Sequence, residues 1–267
     1  MKLSFSTLGC PEFEWDDILS IASDMGYNGV EIRGVGSEIY VPAIKMFSEP
    51  EAAATKDRLS SLGLSIPCFT SGCELHIKEQ KEKTIKEGKE YIDAGARMGV
   101  PYVRVLADSG PAPDGSIDEA LVRDTAAELG AYASSRGVEV LIESNGWFAD
   151  SERLAKMIQS VGGGVAALWD IHHPYRFFSE PPKATYDNLK QYIRHTHFKD
   201  SKISDGNVRY ALSGEGDVPA AEFVELLESG GYQGFMSLEW VRRWDLTLEE
   251  PGIAFAQYVN YMRDMLS

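Results

Sequence analysis

Residues 165–175 read Val165-Ala166-Ala167-Leu168-Trp169-Asp170-Ile171-His172-His173-Pro174-Tyr175. An apolar run stops abruptly in an aspartate, two histidines and a proline. A short apolar run between turn signals predicts a strand buried on both faces. Polar groups crowded just past its end have no place in a core. They lie where α/β folds gather their chemistry, at the carboxyl ends of parallel strands. The reading of the chain turns on whether other strand ends supply partners.

Outward from this stretch the chain alternates. Strand-like runs fall at residues 3–7, 29–32, 64–69, 102–106, 138–142, 165–169, 193–198 and 235–238. Helical patterns fall at 14–26, 50–62, 77–98, 116–136, 151–160, 184–192, 219–229 and 251–265. In the first, Ile18, Leu19, Ala22 and Met25 share one face, and Gly26 closes the helix. Gly26-Tyr27-Asn28-Gly29 and Gly231-Tyr232-Gln233-Gly234 are matching turns between a helix and a strand. Alternation of this kind predicts an α/β chain folded as a (β/α)8 TIM barrel. No linker or composition break interrupts it, so residues 1–267 are expected to form a single barrel domain.

The 267 residues carry 26 basic and 41 acidic side chains, a net charge of −15. That balance repels polyanions, so nucleic acid is not an expected partner. Cys10, Cys68 and Cys73 show no metal-type spacing and read as free thiols in a reducing compartment. The amino terminus enters a strand directly and no run is long enough to span a membrane, so a cytoplasmic protein without membrane contact is expected. A homo-oligomer is compatible with the sequence.

Strand side chains alternate, so residues two apart share a face. Glu139, Leu141 and Glu143 form one set, as do Ala166, Leu168 and Asp170. Ile193, His195 and His197 form another, and Phe235, Ser237 and Glu239 the last. The intervening residues are mostly apolar and suit a helix-facing surface, so these sets face the barrel axis. Their last members, Glu143, Asp170, His197 and Glu239, meet at one rim. Three carboxylates brought together need a compensating charge. With one imidazole and no thiolate, the set suits Mn²⁺, Mg²⁺ or Co²⁺ better than structural Zn²⁺.

His173, three residues past Asp170, is a candidate substrate contact; Lys199, Asp200 and Arg209 follow the next strand and are either site residues or solvated loop. His195 lies one layer below His197 and reads as a core or supporting group, and His172 has no assigned role. Glu31, Arg33, Arg104 and Glu139 would also point inward. Buried charges must pair, so structural ion pairs are expected there, with Arg104 bridging Glu31 or Glu139. Trp15, Phe69, Trp147 and Trp240 lie near strand ends, as core or pocket wall.

At these residues the chain resembles the xylose-isomerase-like (β/α)8 superfamily of sugar phosphate isomerases and epimerases. The resemblance covers almost the whole length. It is carried by Leu141-Ile142-Glu143-Ser144-Asn145, Leu168-Trp169-Asp170-Ile171-His172-His173, His195-Thr196-His197-Phe198-Lys199-Asp200, Ser213-Gly214-Glu215-Gly216-Asp217 and 231–239, GYQGFMSLE. It implies that Glu143, Asp170, His197 and Glu239 bind one divalent metal, Mn²⁺ first, with Mg²⁺, Co²⁺ or Zn²⁺ as alternatives. It implies a metal-stabilised enediolate, with Glu143 and Glu239 as the catalytic proton carriers. His173, Lys199 and Arg209 are then the substrate-binding candidates, for a sugar, sugar phosphate or inosose. The superfamily also holds inosose dehydratases, which are lyases, and endonuclease IV-like nucleases with extra histidine ligands. Residues 69–71 and 106–108 supply no such histidine. A non-catalytic sugar-binding barrel is the remaining alternative.

Overall fold

The structure, a computed structural model, describes residues 1–266. Ten strands are present among them: β1 (Lys2–Ser6), β2 (Gly29–Glu31), β3 (Cys68–Glu74), β4 (Tyr102–Leu106), β5 (Glu139–Glu143), β6 (Val165–Asp170), β7 (Ile193–Phe198), β8 (Asp200–Ser204), β9 (Asn207–Ala211) and β10 (Phe235–Leu238). The helices are α1 (Trp15–Asp24), α2 (Ala52–Ser61), α3 (Lys81–Met98), α4 (Glu119–Ser134), α5 (Ser151–Val161), α6 (His172–Phe178), α7 (Pro182–Leu189), α8 (Ala220–Ser229) and α9 (Pro251–Leu266).

Eight strands form a parallel sheet in the order β2-β1-β10-β7-β6-β5-β4-β3. Its ends meet. Val30 N donates to Ser65 O at 2.9 Å, Ile32 N to Cys68 O at 3.1 Å, and Thr70 N to Ile32 O at 2.9 Å. These bonds close the TIM barrel and remove its edges.

Register puts most of the predicted inward residues inside; Ile193 is the exception, paired with outward-facing Ala167 ahead of a register shift and packed in the core beneath the helices. Leu141, Ala166 and Leu168 form a small buried apolar cluster of their own, with Tyr102 against it. The alternate residues Val140, Ile142, Ala167, Trp169, Met236 and Leu238 belong to the larger core between sheet and helices. Trp169 packs edge-on against Phe223 of α8, with ring centroids 5.2 Å apart. The barrel interior is thus apolar at this level and charged above it.

Several boundaries differ from those read in the sequence. The third strand lies at Cys68–Glu74 rather than 64–69. Pro67 has no N–H to donate, so the ladder resumes only at Cys68. The helix expected at 116–136 is Glu119–Ser134, because Asp118 caps it and accepts from Ala120 N and Leu121 N. Residues 201–213, read as loop, contain most of the antiparallel β8–β9 ribbon. A short extra helix, α6, follows β6 directly. Among the described residues, no helix is long and apolar enough to cross a membrane.

Candidate metal centre and substrate cavity

Four consecutive positions around the barrel rim bring Glu143, Asp170, His197 and Glu239 together. One ligand atom from each lies within 4.8 Å of every other. His197 Nδ1 is the hub, 3.3 Å from Glu143 Oε1, 3.4 Å from Glu239 Oε1 and 3.9 Å from Asp170 Oδ2. All four residues are buried. Such proximity of three carboxylates is stable only with positive charge among them.

The protein supplies part of it. Arg104 Nε lies 3.1 Å from Glu143 Oε2 and its Nη2 3.8 Å from Glu239 Oε1. Lys199 Nζ lies 2.6 Å from Asp170 Oδ2 and also contacts Glu239 Oε2. Burial alone would raise the Glu143 pKa. The Arg104 guanidinium and the His197 ring override it and hold the carboxyl well below its usual range. Burial would likewise lower Lys199, but Asp170 and Glu239 raise it well above an ordinary lysine. Glu143 Oε2 and Asp170 Oδ2 face these cations yet accept no well-directed hydrogen bond.

These observations fit a divalent cation. The ligand atoms are oxygen and imidazole nitrogen without sulfur, close enough to converge on one ion. Two buried carboxylate oxygens still have acceptor capacity.

Beneath the hub, Glu31 joins two histidines. Its carboxylate accepts from His197 Nε2 at 3.0 and 3.1 Å and from His195 Nε2 at 2.6 Å. Burial opposes ionisation of Glu31, but His197 and His195 hold its pKa well below normal. Burial likewise opposes a charged His197, yet Glu31, Glu239 and Glu143 raise its pKa well above normal. His195 is lowered by burial and reads as neutral. Because His197 directs Nε2–H to Glu31, its Nδ1 is presented to the quartet.

Glu143 and Glu239 of the quartet line a cavity of about 440 Å³. His173 is on its wall. His173 Nδ1 donates to Ser144 O at 3.1 Å, which turns Nε2 toward Asp170 Oδ2 at 3.7 Å. Lys199 also lines the cavity. His172, left without a role by the sequence, bonds Ser201 Oγ through Nε2 at 2.8 Å and ties α6 to β8. Asp200 is buried and holds the glycine loop, accepting from Gly214 N and Gly216 N at 3.0 Å each and Val218 N at 3.3 Å.

Three expectations need correction. Arg209 is exposed and is not on the cavity wall; hairpin alternation turns Tyr210 inward in its place. Arg104 pairs with Glu143 and Glu239, not with Glu31 or Glu139. Glu139 pairs instead with Arg194 Nε at 3.2 Å. Arg33 has no carboxylate within 4.0 Å among the described residues, so the expected ion pair is missing. The aromatics follow the core reading: Trp15, Phe69 and Trp240 are core residues and Trp147 packs against that core, while Tyr210 and Trp244 line the cavity.

A family model described as xylose isomerase-like TIM barrel matches residues 19–264. The chain is 24% identical over 277 residues to fructoselysine 3-epimerase from Shigella flexneri, covering 100% of this chain and 98% of that protein. A structure of D-psicose 3-epimerase with D-tagatose from Clostridium cellulolyticum H10 superposes with a TM-score of 0.78 at 16% identity, covering both chains completely at 100%. The IOLI protein, solved with a bound zinc atom, also has a TM-score of 0.78, at 15% identity over 100% of this chain and 98% of its own.

Proposed function

The chain belongs to the xylose isomerase-like TIM barrel family, and we propose that within it the protein is a divalent-metal-dependent sugar epimerase or isomerase. The observation that carries this reading is the pair Glu143 and Glu239. Both are buried, both face His197 Nδ1 and both open onto one cavity. Two carboxylates flanking a substrate are what a proton transfer with inversion needs, one to take a proton and one to return it. The 3-epimerase names of a curated relative and a solved neighbour support the same class.

Glu143, Asp170, His197 and Glu239 would hold the cation. Bound there, it supplies Lewis-acid polarisation of a carbonyl and stabilises the negative charge that develops on it. The choice of metal is open between Mn²⁺, Mg²⁺, Co²⁺ and Zn²⁺.

The remaining chemistry lies with the chain. Glu143, kept ionised by Arg104, takes the proton from the carbon beside the substrate carbonyl. Glu239 reaches the cavity from β10, on the other side of β6 and β7; it must enter the turnover carrying a proton, which it gives to the opposite face, so that it ends ionised while Glu143 ends protonated. In the reverse direction the two exchange roles. His173 and Lys199 orient the substrate hydroxyls, and burial of the rim keeps bulk water from the carbanionic carbon.

The test is product identification. Metal-loaded protein is incubated with a panel of ketoses and derivatives, and sugars are resolved by NMR. A new epimer or aldose isomer is expected, with Glu143→Gln slower by about 10²–10⁴-fold. A product that has lost water would instead indicate a dehydratase, and nicking of abasic DNA a nuclease.

A further inference from the structure

Of the cations on the cavity wall, Arg33, Arg104 and Lys199, Arg33 is the one that the proton-transfer chemistry does not use. It follows β2, and its backbone N–H is fixed by Thr7 Oγ1 at 2.9 Å. Its side chain reaches the cavity wall. There Nη1 donates to Ile39 O at 3.1 Å, and the guanidinium lies 5.8 Å from the ring centre of Trp244. Nε and Nη2 have no partner among the described residues.

Its surroundings make this costly. The residue is partly buried; burial and the positive charges of Arg104 and Arg243 disfavour its cation, and Glu87, which forms no ion pair with it, offsets only part of that. Arg104 is itself committed, through Nη1 to Ser71 O at 2.9 Å and through Nε to Glu143. The two guanidiniums thus flank the irregular stretch of β3, Arg104 at Ser71 and Arg33 at Gly72. A Cβ at Gly72 would stand 3.3 Å from Arg33 Nη2, so glycine leaves the fork its space. Of the acidic groups on the same wall, Asp245 is taken up by Thr247 N and Oγ1, and Glu74 lies one pleat beyond Gly72. An unpaired, half-buried guanidinium normally finds an oxyanion, and its planar fork suits one bidentately.

We infer that Arg33 binds an anionic substituent, a phosphate or a carboxylate, carried by the substrate away from its reacting carbons. The inference rests on the sugar epimerase reading and narrows its substrates to acidic sugar derivatives. Arg33 and Trp244 would grip that substituent while the reacting carbons lie against Glu143 and Glu239.

Mn²⁺-loaded wild type, Arg33→Met and Arg33→Lys are compared on a neutral ketose, its terminal phosphate, and a ketose linked through an amine to a carboxylate-bearing amino acid. Solvent hydrogen exchange beside the carbonyl is the readout. Wild type is expected to favour one of the two anionic compounds over the neutral ketose by at least about tenfold in kcat/KM. Which one it favours separates phosphate from carboxylate. In Arg33→Met that ratio falls by about 10- to 100-fold, through KM, and Arg33→Lys is intermediate. A ratio near one in wild type, or one that Arg33→Met leaves unchanged, overturns the inference. If no compound exchanges, the epimerase reading fails by itself. Calorimetry with inorganic phosphate and with acetate then decides the role of Arg33 without turnover. Binding weakened tenfold or more in Arg33→Met retains it, and equal or absent binding overturns it.

Discussion

His197 donates its Nε2–H to the Glu31 carboxylate at 3.0 and 3.1 Å, and so turns Nδ1 toward Glu143, Asp170 and Glu239. A cation bound above the charged ring would displace its Nδ1 proton, and the carboxylate below would keep the remaining proton on Nε2, the tautomer such a ligand needs. Glu31→Gln offers an amide that presents a hydrogen as readily as an oxygen. Divalent metal affinity, measured by calorimetry, is expected to fall about 10- to 100-fold. Unchanged affinity would mean that the rest of the quartet orients His197 without Glu31.

Arg104 faces both proposed proton carriers, and removing its charge leaves two buried carboxylates opposed. Arg104→Met is expected to cost about 3–5 kcal/mol in urea denaturation of the metal-free protein. Added Mn²⁺ should restore part of the loss, because a cation in the quartet supplies charge to the same two groups.

Asp200 holds the loop behind Lys199 through backbone N–H groups of Ser201, Gly214, Gly216 and Val218. Asp200→Ala removes all these acceptors at once. A loss of about 2 kcal/mol or more is expected, with faster proteolysis within residues 201–218 and a higher KM as the Tyr210 wall loosens.

The three cysteines are buried, and burial raises each thiol, with Cys73 pushed from 9.0 to about 12. A raised pKa favours the neutral thiol in the folded state. The Cys73 contribution is therefore complete below about pH 8.5, where the unfolded thiol is protonated, and is lost as pH rises toward 12. Folded protein at pH 8 should leave all three thiols unmodified by a disulfide reagent, and urea should expose them. Urea midpoints should fall between pH 9 and 11, and less so in Cys73→Ala.

Period-two alternation made the barrel and its rim legible. Glu143, Asp170, His197 and Glu239 each lie at the carboxyl end of a strand, last in a set of residues two apart, so the pattern reached the quartet without a structure. The β8–β9 ribbon was missed although its turn carries a signal. Asp205-Gly206 is a hairpin dipeptide, and both residues have positive φ, 51° and 76°. Its flanking strands are short and largely polar, which hid the pairing and placed Arg209 rather than Tyr210 toward the cavity. The partners of Arg104, and the lack of one at Arg33, depend on distances across the barrel. Strand phase gives the side on which a charge lies but not which opposite charge it reaches.

The most direct test of the central claim is solvent deuterium incorporation into a ketose substrate, followed by NMR with metal-loaded, EDTA-treated and Glu143→Gln protein. Deuterium is expected at the carbon beside the carbonyl, together with epimer formation and no loss of water. EDTA should abolish the exchange and Mn²⁺ should restore it. Exchange that persists in EDTA and in Glu143→Gln, or its absence from metal-loaded wild type across neutral and anionic ketoses, would contradict the account.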